Sequence, residues 1–364
     1  MRIAYVITRA DAVGGASVHV RDLARAMADV GHQVMVFTGG EGPVTVQMAR
    51  CGVPFQPLRR LQRSIHPARD LTAVAELTKA LRRFGPDIVS LHTAKAGWIG
   101  RVAASRLSLP AVYTPHGWPS GARFSAPAGI IFRWAEKIMA SRSAAIVCVC
   151  QYEKDLALRQ RIAQPDRLRV IHNGVHDVSA ELLCDSCVGP ARIVSVARFE
   201  SPKDHKTLIR ALAMIRALDW QADLVGDGPL QPQVRALADS LGVGERIQFL
   251  GYQADPAPVL ARAQIFVLSS RSEGFPRSVL EAMRARLAVV ASRVGGVPEA
   301  LEDGVSGLLT PPGDSAAMAS ALAALISDGG MRGKLATRAR QAYEKRFRFE
   351  RTARQTLSLY REFV

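Results

Sequence analysis

Along the chain, short apolar runs rich in β-branched residues alternate with longer stretches whose apolar positions return at helical spacing. The first run, Arg2 to Thr8, leads into a turn from Arg9 to Gly15 and then an amphipathic segment from Ser17 to Val30, closed by Gly31. This order reads as strand, glycine loop, helix. Gln33 to Thr38, Asp87 to His92, Ala111 to Thr114 and Ala145 to Cys150 predict further strands, with helices over Asp70 to Phe84 and Trp98 to Arg106. After the polar stretch Asp177 to Pro190 the pattern starts again. Strands are predicted at Arg192 to Ala197, Trp220 to Val225, Ile247 to Leu250, Gln264 to Leu268, Leu287 to Ser292 and Gly307 to Thr310. Helices are predicted over Lys206 to Leu218, Gln231 to Leu241, Asp314 to Ser327 and Met331 to Lys345, and over a final segment, Phe349 to Val364. Strands alternating with helices imply an α/β chain with parallel, doubly wound sheets, whose ligands lie at the carboxyl ends of the strands. Gly14-Gly15, His92 to Lys95 and His116-Gly117 fall at such ends.

The densest chemistry lies in Ser269 to Leu287, where a strand, a polar turn and a helix bring in two carboxylates, Glu273 and Glu281. Ser278-Val279-Leu280-Glu281 has capping-box spacing, which predicts a helix capped at Ser278 with the amides of Val279 and Leu280 facing outward. Such amides, at the positive end of the helix dipole, suit an anionic group such as phosphate. In the competing reading Glu281 only caps its own helix and Glu273 is a solvated loop carboxylate.

At 364 residues the chain exceeds one ordinary core, so two domains are expected. No apolar run is long enough to span a bilayer and no signal-peptide pattern opens the chain, so a cytoplasmic location is expected. Five cysteines fit that compartment: Cys148 and Cys150 alternate in an apolar run as core residues, and Cys184 and Cys187 form an isolated CxxC without a second pair at zinc spacing. The net charge of +16 is uneven, with +13 in residues 1–175 and +3 in the rest. A basic half suits nucleic acid, an anionic membrane or an anionic substrate. Nucleic acid is disfavoured, because no zinc-finger, RNP-like or helix-turn-helix pattern accompanies the charge.

The first loop, Val13-Gly14-Gly15-Ala16, is not G-x-G-x-x-G, and Thr38-Gly39-Gly40 stands where a ribose-binding acid would, so a nicotinamide dehydrogenase is disfavoured. In the second half, Arg198 follows the first strand and Lys203 lies in a loop constrained by Pro202. Two cations beside a helix N-terminus make a diphosphate site. They would stabilise charge on a leaving diphosphate, a role metal ions often take, and no Asp-x-Asp suggests a metal clamp.

Taken together these residues resemble the GT-B fold glycosyltransferases of family 4, retaining enzymes that move a sugar from a nucleotide diphosphate donor. The resemblance covers essentially the whole chain. Its strongest part is Glu273-Gly-Phe-Pro-(x)4-Glu281, the family's E-x7-E motif, continued by Val290-Ala-Ser, Gly295-Gly-Val-Pro-Glu299, Asp303-Gly304, Gly307 and Pro312-Gly-Asp314. Gly14-Gly15, His116-Gly117, Asn173-Gly174, Arg198 with Lys203, and Gly226-Asp-Gly-Pro229 match in the same order. The resemblance implies that Glu281 holds the ribose hydroxyls and that Glu273, with the amides of Gly274 and Phe275, meets the donor sugar. It implies that Arg198, Lys203, Gly15 and the amides of Val279 and Leu280 hold the diphosphate, that the backbone at Gly251 and Tyr252 reads the base, and that His116 contacts the sugar near the reacting carbon. No metal or other cofactor is implied. Reaction on one face, with the donor phosphate taking the acceptor proton, is the expected course. The chain departs from the family at Arg284-Ala-Arg286-Leu-Ala288, where many members carry a small residue or glycine followed by proline, and both arginines are expected on the outer face of the helix. Arg277, after Gly-Phe-Pro, is a further place where donor-sugar selection could differ.

The acceptor is expected in the basic half. Arg59, Arg60, Arg63 and Arg69 cluster there, as do Arg82 and Arg83, and Phe124 to Ala140 sets Ile130, Ile131, Phe132, Trp134, Ile138 and Met139 beside Arg133 and Lys137. Such a segment either rests on anionic lipid or packs into the core with its charges solvated. Thr93-Ala-Lys95-Ala-Gly97-Trp98 with Gly100-Arg101 resembles members that extend lipid-linked sugars of bacterial surface polysaccharides.

The expected architecture is therefore GT-B, two doubly wound Rossmann-like domains facing each other across a cleft. Residues 1–175 form the acceptor domain, residues 176–345 the nucleotide-sugar domain, and residues 346–364 a helix crossing back. The expected activity is retaining hexosyl or N-acetylhexosaminyl transfer from a nucleotide diphosphate sugar, UDP-linked by preference, to a lipid-linked or other anionic acceptor in surface-glycan synthesis. The expected location is the cytoplasm or the inner face of the plasma membrane. The rival readings are a two-domain nucleotide-sugar epimerase and a basic membrane- or nucleic-acid-binding protein without catalysis.

Overall fold

The computed structural model describes residues 1–118, 126–184 and 191–364, and within the helix at Ala126–Ala140 not the side chains of residues 126–128 and 131. The expectations for Phe124, Ile131 as a side chain and Cys187 lie outside the described residues. The chain forms two compact units, Met1–Asn173 with Thr352–Val364, and Gly174–Arg351.

The first unit contains β1 (Arg2–Ile7), α1 (Gly15–Asp29), β2 (Gln33–Gly39), α2 (Pro43–Arg50), β3 (Phe55–Leu58), α3 (Pro67–Phe84), β4 (Ile88–His92) and α4 (Ala94–Ser105). It continues with β5 (Ala111–Thr114), α5 (Ala126–Ala140), β6 (Ala145–Cys148), α6 (Gln151–Arg159) and β7 (Leu168–Val170). Its sheet has the order β3-β2-β1-β4-β5-β6-β7, with every described pairing parallel. Parallel strands covered on both faces are buried along their length, as β1 is from Ile3 onward and β4 is throughout. Ile99, Leu77, Leu91 and Tyr113 lie in the core between the sheet and α3 and α4. β3, α2, α6 and β7 are additions to the sequence expectation. Cys150 is not on the strand: β6 ends at Cys148, and Cys150 precedes α6, with both thiols buried.

The second unit contains β8 (Ala191–Val196), α7 (His205–Met214), β9 (Trp220–Val225), α8 (Gln231–Ser240), β10 (Ile247–Gly251), α9 (Ala257–Ala261) and β11 (Ile265–Leu268). It continues with α10 (Arg277–Arg284), β12 (Ala288–Ser292), α11 (Val297–Ala300), β13 (Leu308–Thr310), α12 (Ser315–Ser327) and α13 (Gly329–Arg346). The sheet order is β10-β9-β8-β11-β12-β13, again parallel. The order reverses between β8 and β11, a switch point where the loops at the carboxyl ends diverge and leave room for a ligand. The last helix, α14 (Phe349–Arg361), starts in the second unit, where Phe349 N–H donates to the Val175 carbonyl (3.0 Å), and most of it packs in the first. Among the described residues no helix is long and apolar enough to cross a membrane.

Candidate active site

The switch point of the second sheet carries the cations and carboxylates singled out above. Beyond β8 the chain turns through Arg198 into a short 3-10 turn, Ser201–Lys203, with Pro202 in its first positions. Gly226 lets the β9 loop press against this segment: a Cβ there would stand 2.1 Å from the Ala197 carbonyl oxygen. Arg198 pairs with Glu200 (2.9 Å), yet its Nε is buried without a hydrogen-bond partner among the described residues. A buried, unpartnered guanidinium N–H costs free energy unless a ligand takes it. Lys203 Nζ reaches Glu273 Oε1 (2.6 Å), and the same oxygen accepts from Ser270 Oγ (2.6 Å). The two residues assigned to separate parts of a donor thus meet across the ends of β8 and β11. The Glu273 loop is fixed from β12 as well: Gly296 N–H donates to the Gly274 carbonyl (2.7 Å), and a Cβ on Gly295 would lie 1.9 Å from the Glu273 carbonyl oxygen. Phe275 is buried, 5.4 Å from the Phe347 ring.

The cap of the helix that follows lies two residues earlier than expected. Pro276, with φ −73 and ψ 118, occupies the N-cap and offers no side-chain cap, so Arg277 is already helical and Ser278 does not cap. Proline's fixed φ ends the extended loop directly at the helix, which displaces the capping box. The amides without intrahelical acceptors are then those of Arg277, Ser278 and Val279, while Leu280 N–H falls opposite the Pro276 carbonyl. The Glu281 carboxylate, freed from capping, makes no hydrogen bond among the described residues and is part-exposed. Arg277 donates to the Gly174 carbonyl (3.0 Å), tying the helix start to the opening of the unit. Arg284 is buried, contrary to expectation, because its guanidinium reaches the His176 carbonyl (3.1 Å) while Arg340 takes its own carbonyl (2.7 Å). At the end of β10, Gly251 accepts from Gly226 N–H (2.8 Å), and Tyr252 beside it is exposed.

In the first unit Gly15 opens α1, and Ser17 Oγ bridges the Gly14 amide and carbonyl (2.9 Å each). The space in front of this turn is open, since a Cβ on Gly14 would meet nothing within 4 Å. His116 follows β5 with φ +57, an uncommon backbone state for a non-glycine residue and one that favours functional positions. Its Nε2 lies 2.9 Å from Nδ1 of His92, at the end of β4, and His19 of α1 stands edge-on to it (ring centroids 5.1 Å). The nitrogens of these three imidazoles lie within 4.8 Å of one another, the one such cluster among the described residues. Sequence reasoning placed His92 at a ligand-facing strand end but gave it and His19 no role. The available signal was Ser90-Leu-His92, whose alternate positions share one face of a strand.

Two all-parallel doubly wound units, the second with cations and a carboxylate at a switch point before a helix N-terminus, define a glycosyltransferase of the GT-B class. Residues 13–178 match the family described as Glycosyltransferase Family 4, and residues 190–328 match Glycosyl transferases group 1. A D-inositol 3-phosphate glycosyltransferase of Salinispora arenicola is 30% identical over 397 residues, spanning 96% of this chain and 88% of that one. A UDP-Gal:alpha-D-GlcNAc-diphosphoundecaprenol alpha-1,3-galactosyltransferase of Escherichia coli is 25% identical over 74% of this chain and 73% of its own. The crystal structure of Anabaena HepE in complex with UDP-glucose superposes with a TM-score of 0.84 at 23% identity, covering 98% of this chain and 99% of that one. The chain belongs to the family 4 glycosyltransferases.

Proposed function

We propose that this glycosyltransferase is a retaining hexosyl- or N-acetylhexosaminyltransferase that uses a UDP-sugar and needs no metal ion. One observation carries the donor assignment: a buried Arg198 Nε without a hydrogen-bond partner among the described residues, five residues before Lys203, at a switch point whose next helix begins without a side-chain cap. Arg198, Lys203 and the amides of Arg277, Ser278 and Val279 hold the diphosphate and stabilise the charge it gains on leaving. Glu281, unengaged by capping, accepts from the ribose hydroxyls, and Gly251 with Tyr252 borders the base. Glu273, aided by the amides of Gly274 and Phe275, meets the sugar. From the first unit, Gly15 serves the diphosphate and His116 the sugar. The sugar–phosphate bond breaks as the acceptor oxygen bonds to the same face, and the acceptor proton passes to the departing phosphate oxygen.

The acceptor is a lipid-linked, anionic glycan intermediate of surface-polysaccharide synthesis, in keeping with the diphosphoundecaprenol acceptor in the name of the Escherichia coli relative. Arg59, Arg60, Arg63, Arg69, Arg82 and Arg83 are all exposed on the first unit and suit an anionic membrane face. Titration calorimetry with UDP tests the donor site. Arg198→Ala and Glu281→Ala are expected to weaken UDP binding by about tenfold or more, as loss of charge-assisted hydrogen bonds implies. Wild-type affinity in Glu281→Ala would sink the assignment. Mass-spectrometric turnover with and without acceptor then separates transfer from epimerisation, which needs none.

A further inference from the structure

Ser90 and His92 leave the same face of β4. Ser90 Oγ lies 2.9 Å from His92 Nε2 and accepts a hydrogen bond of 2.7 Å from the hydroxyl of Tyr360, on α14. On the far side of the ring, His92 Nδ1 lies 2.9 Å from His116 Nε2. Ser90 determines the polarity of this chain. Its hydroxyl is buried and already accepts from Tyr360, so its own proton has His92 Nε2 as its one remaining partner among the described residues. Sending that proton elsewhere would cost the roughly 1–3 kcal/mol of an unsatisfied buried donor. Ser90 therefore donates to Nε2. Burial holds the pKa of His92 well below the ordinary histidine value, so its ring carries a single proton. That proton sits on Nδ1 and is donated to His116 Nε2.

We infer that His92 is a positioning residue which, oriented by Ser90 and by Tyr360 of the C-terminal helix, holds His116 as a neutral imidazole protonated on Nδ1. His116 then serves its ligand as a hydrogen-bond donor and not as a base through Nε2. This rests on the assignment of His116 to the donor sugar. The backbone on both sides of the bond is held in unfavourable states: Thr93, next to His92, has φ 74 and ψ 157, and His116 has φ +57. Non-glycine residues in such states cost about 1–3 kcal/mol each and persist where their surroundings over-determine them. Here the imidazole pair joins the loops that leave β4 and β5.

The same imidazoles, with His19, would be a chelating set for a divalent transition metal if their nitrogens were free. They are not free at His92, where one nitrogen accepts from Ser90 and the other donates to His116. A cation would have to break one of these bonds.

The test is two-bond ¹H–¹⁵N spectroscopy of the full chain labelled at histidine nitrogen, with His92 and His116 assigned by single substitution. In the wild type both rings are expected as Nδ1–H tautomers. In Ser90→Ala the donor to Nε2 is gone, nothing fixes the proton on Nδ1, and both rings are expected to become mixtures of the two tautomers. In the same variant kcat is expected to fall about tenfold while the donor KM stays within about twofold, the pattern of a contact made in the transition state. Tyr360→Phe leaves Ser90 its proton and is expected to keep the wild-type tautomers. A wild-type His116 found as Nε2–H overturns the inference. So do tautomers unchanged in Ser90→Ala, or a stoichiometric shift of both rings by zinc chloride. A wild type that consumes no nucleotide sugar defeats the donor reading instead, and the nitrogen spectra report independently of it.

Discussion

Lys203 and Glu273, separated by 70 residues, form an ion pair of 2.6 Å across the ends of two adjacent strands, with Ser270 donating to the same carboxylate oxygen. The pair gives the site a pre-set geometry. An ammonium has three donors, so Lys203 holds Glu273 with one and keeps others for an anion arriving beside it. Glu273 is thereby held in one orientation before any sugar binds.

A double-mutant cycle measures this coupling. Lys203→Ala leaves Glu273 with Ser270 as its remaining side-chain partner in a site where its own side chain is only 10% exposed, and a destabilisation of about 1–3 kcal/mol is expected. Glu273→Ala should cost less, because Lys203 is more exposed. Urea unfolding of both single variants and the double variant should return a coupling of about 1–2 kcal/mol. A coupling near zero would make the pair incidental.

Acid should destabilise the second unit through His205. Burial first, then the charge of Lys203, push the pKa of this histidine from 6.5 down to about 4, and its ring stacks on Phe199 (centroids 4.2 Å). Between those two values the unfolded chain binds a proton that the folded chain does not, so stability rises with pH and falls on acidification through 6.5. The loss amounts to about 3 kcal/mol by the time the pH reaches the folded value, and levels off below it. His92, also lowered, acts in the same direction in the first unit. Chemical denaturation from pH 7 to 4 checks the slope, and His205→Phe should remove this part of it. An unchanged slope in that variant would assign the acid sensitivity elsewhere.

The six strands of the second sheet were all legible, because buried parallel strands leave uninterrupted β-branched runs between glycine and aspartate turns. β3 and β7 were not: each is an edge strand of four residues or fewer, one broken by Pro57 and the other polar at Arg169. The order of site residues could be read along the chain, but not which of them meet. Lys203 with Glu273, and His92 with His116, are contacts that the fold creates between loops remote in sequence. Arg284 was misplaced for a different reason. Charged side chains are exposed by default, and only backbone carbonyls supplied from elsewhere in the unit make burial of this one tolerable.

Arg286 occupies a position that glycine suits better. Leu287 N–H bonds to the Ala282 carbonyl and Arg286 N–H to that of Met283 (3.0 and 3.1 Å), the paired bonds of a Schellman motif ending α10. The motif requires a left-handed residue, and Arg286 adopts φ +62. Its side chain makes no hydrogen bond or ion pair among the described residues that would offset the strain. Arg286→Gly should stabilise the second unit by about 1 kcal/mol and raise Tm by about 2–4 °C. A lower Tm would mean that the arginine stem contributes packing that exceeds the backbone strain.

The last prediction concerns α5, whose two faces differ sharply. On its inner side Glu136 and Arg101 form a fully buried ion pair (2.9 Å), and Trp98 Nε1 donates to the same carboxylate. A pair this deeply buried costs several kcal/mol to break, so it fixes the rotation of the helix against α4. That rotation points Ile130, Trp134 and Ile138 outward on one helical face, at 49%, 64% and 56% exposure, with exposed Arg133 and Lys137 beside them. An apolar stripe with cationic flanks suits the interface of an anionic bilayer, where each basic residue contributes about 1 kcal/mol. Vesicles containing phosphatidylglycerol should therefore float the wild-type protein, and neutral vesicles should do so less. Trp134→Ser should weaken flotation at unchanged Tm, since the ring contributes little to the fold. Arg133→Ala with Lys137→Ala should weaken it only on anionic vesicles. Equal absence of flotation on both lipids would remove the membrane from the proposal and leave the stripe without an assigned role.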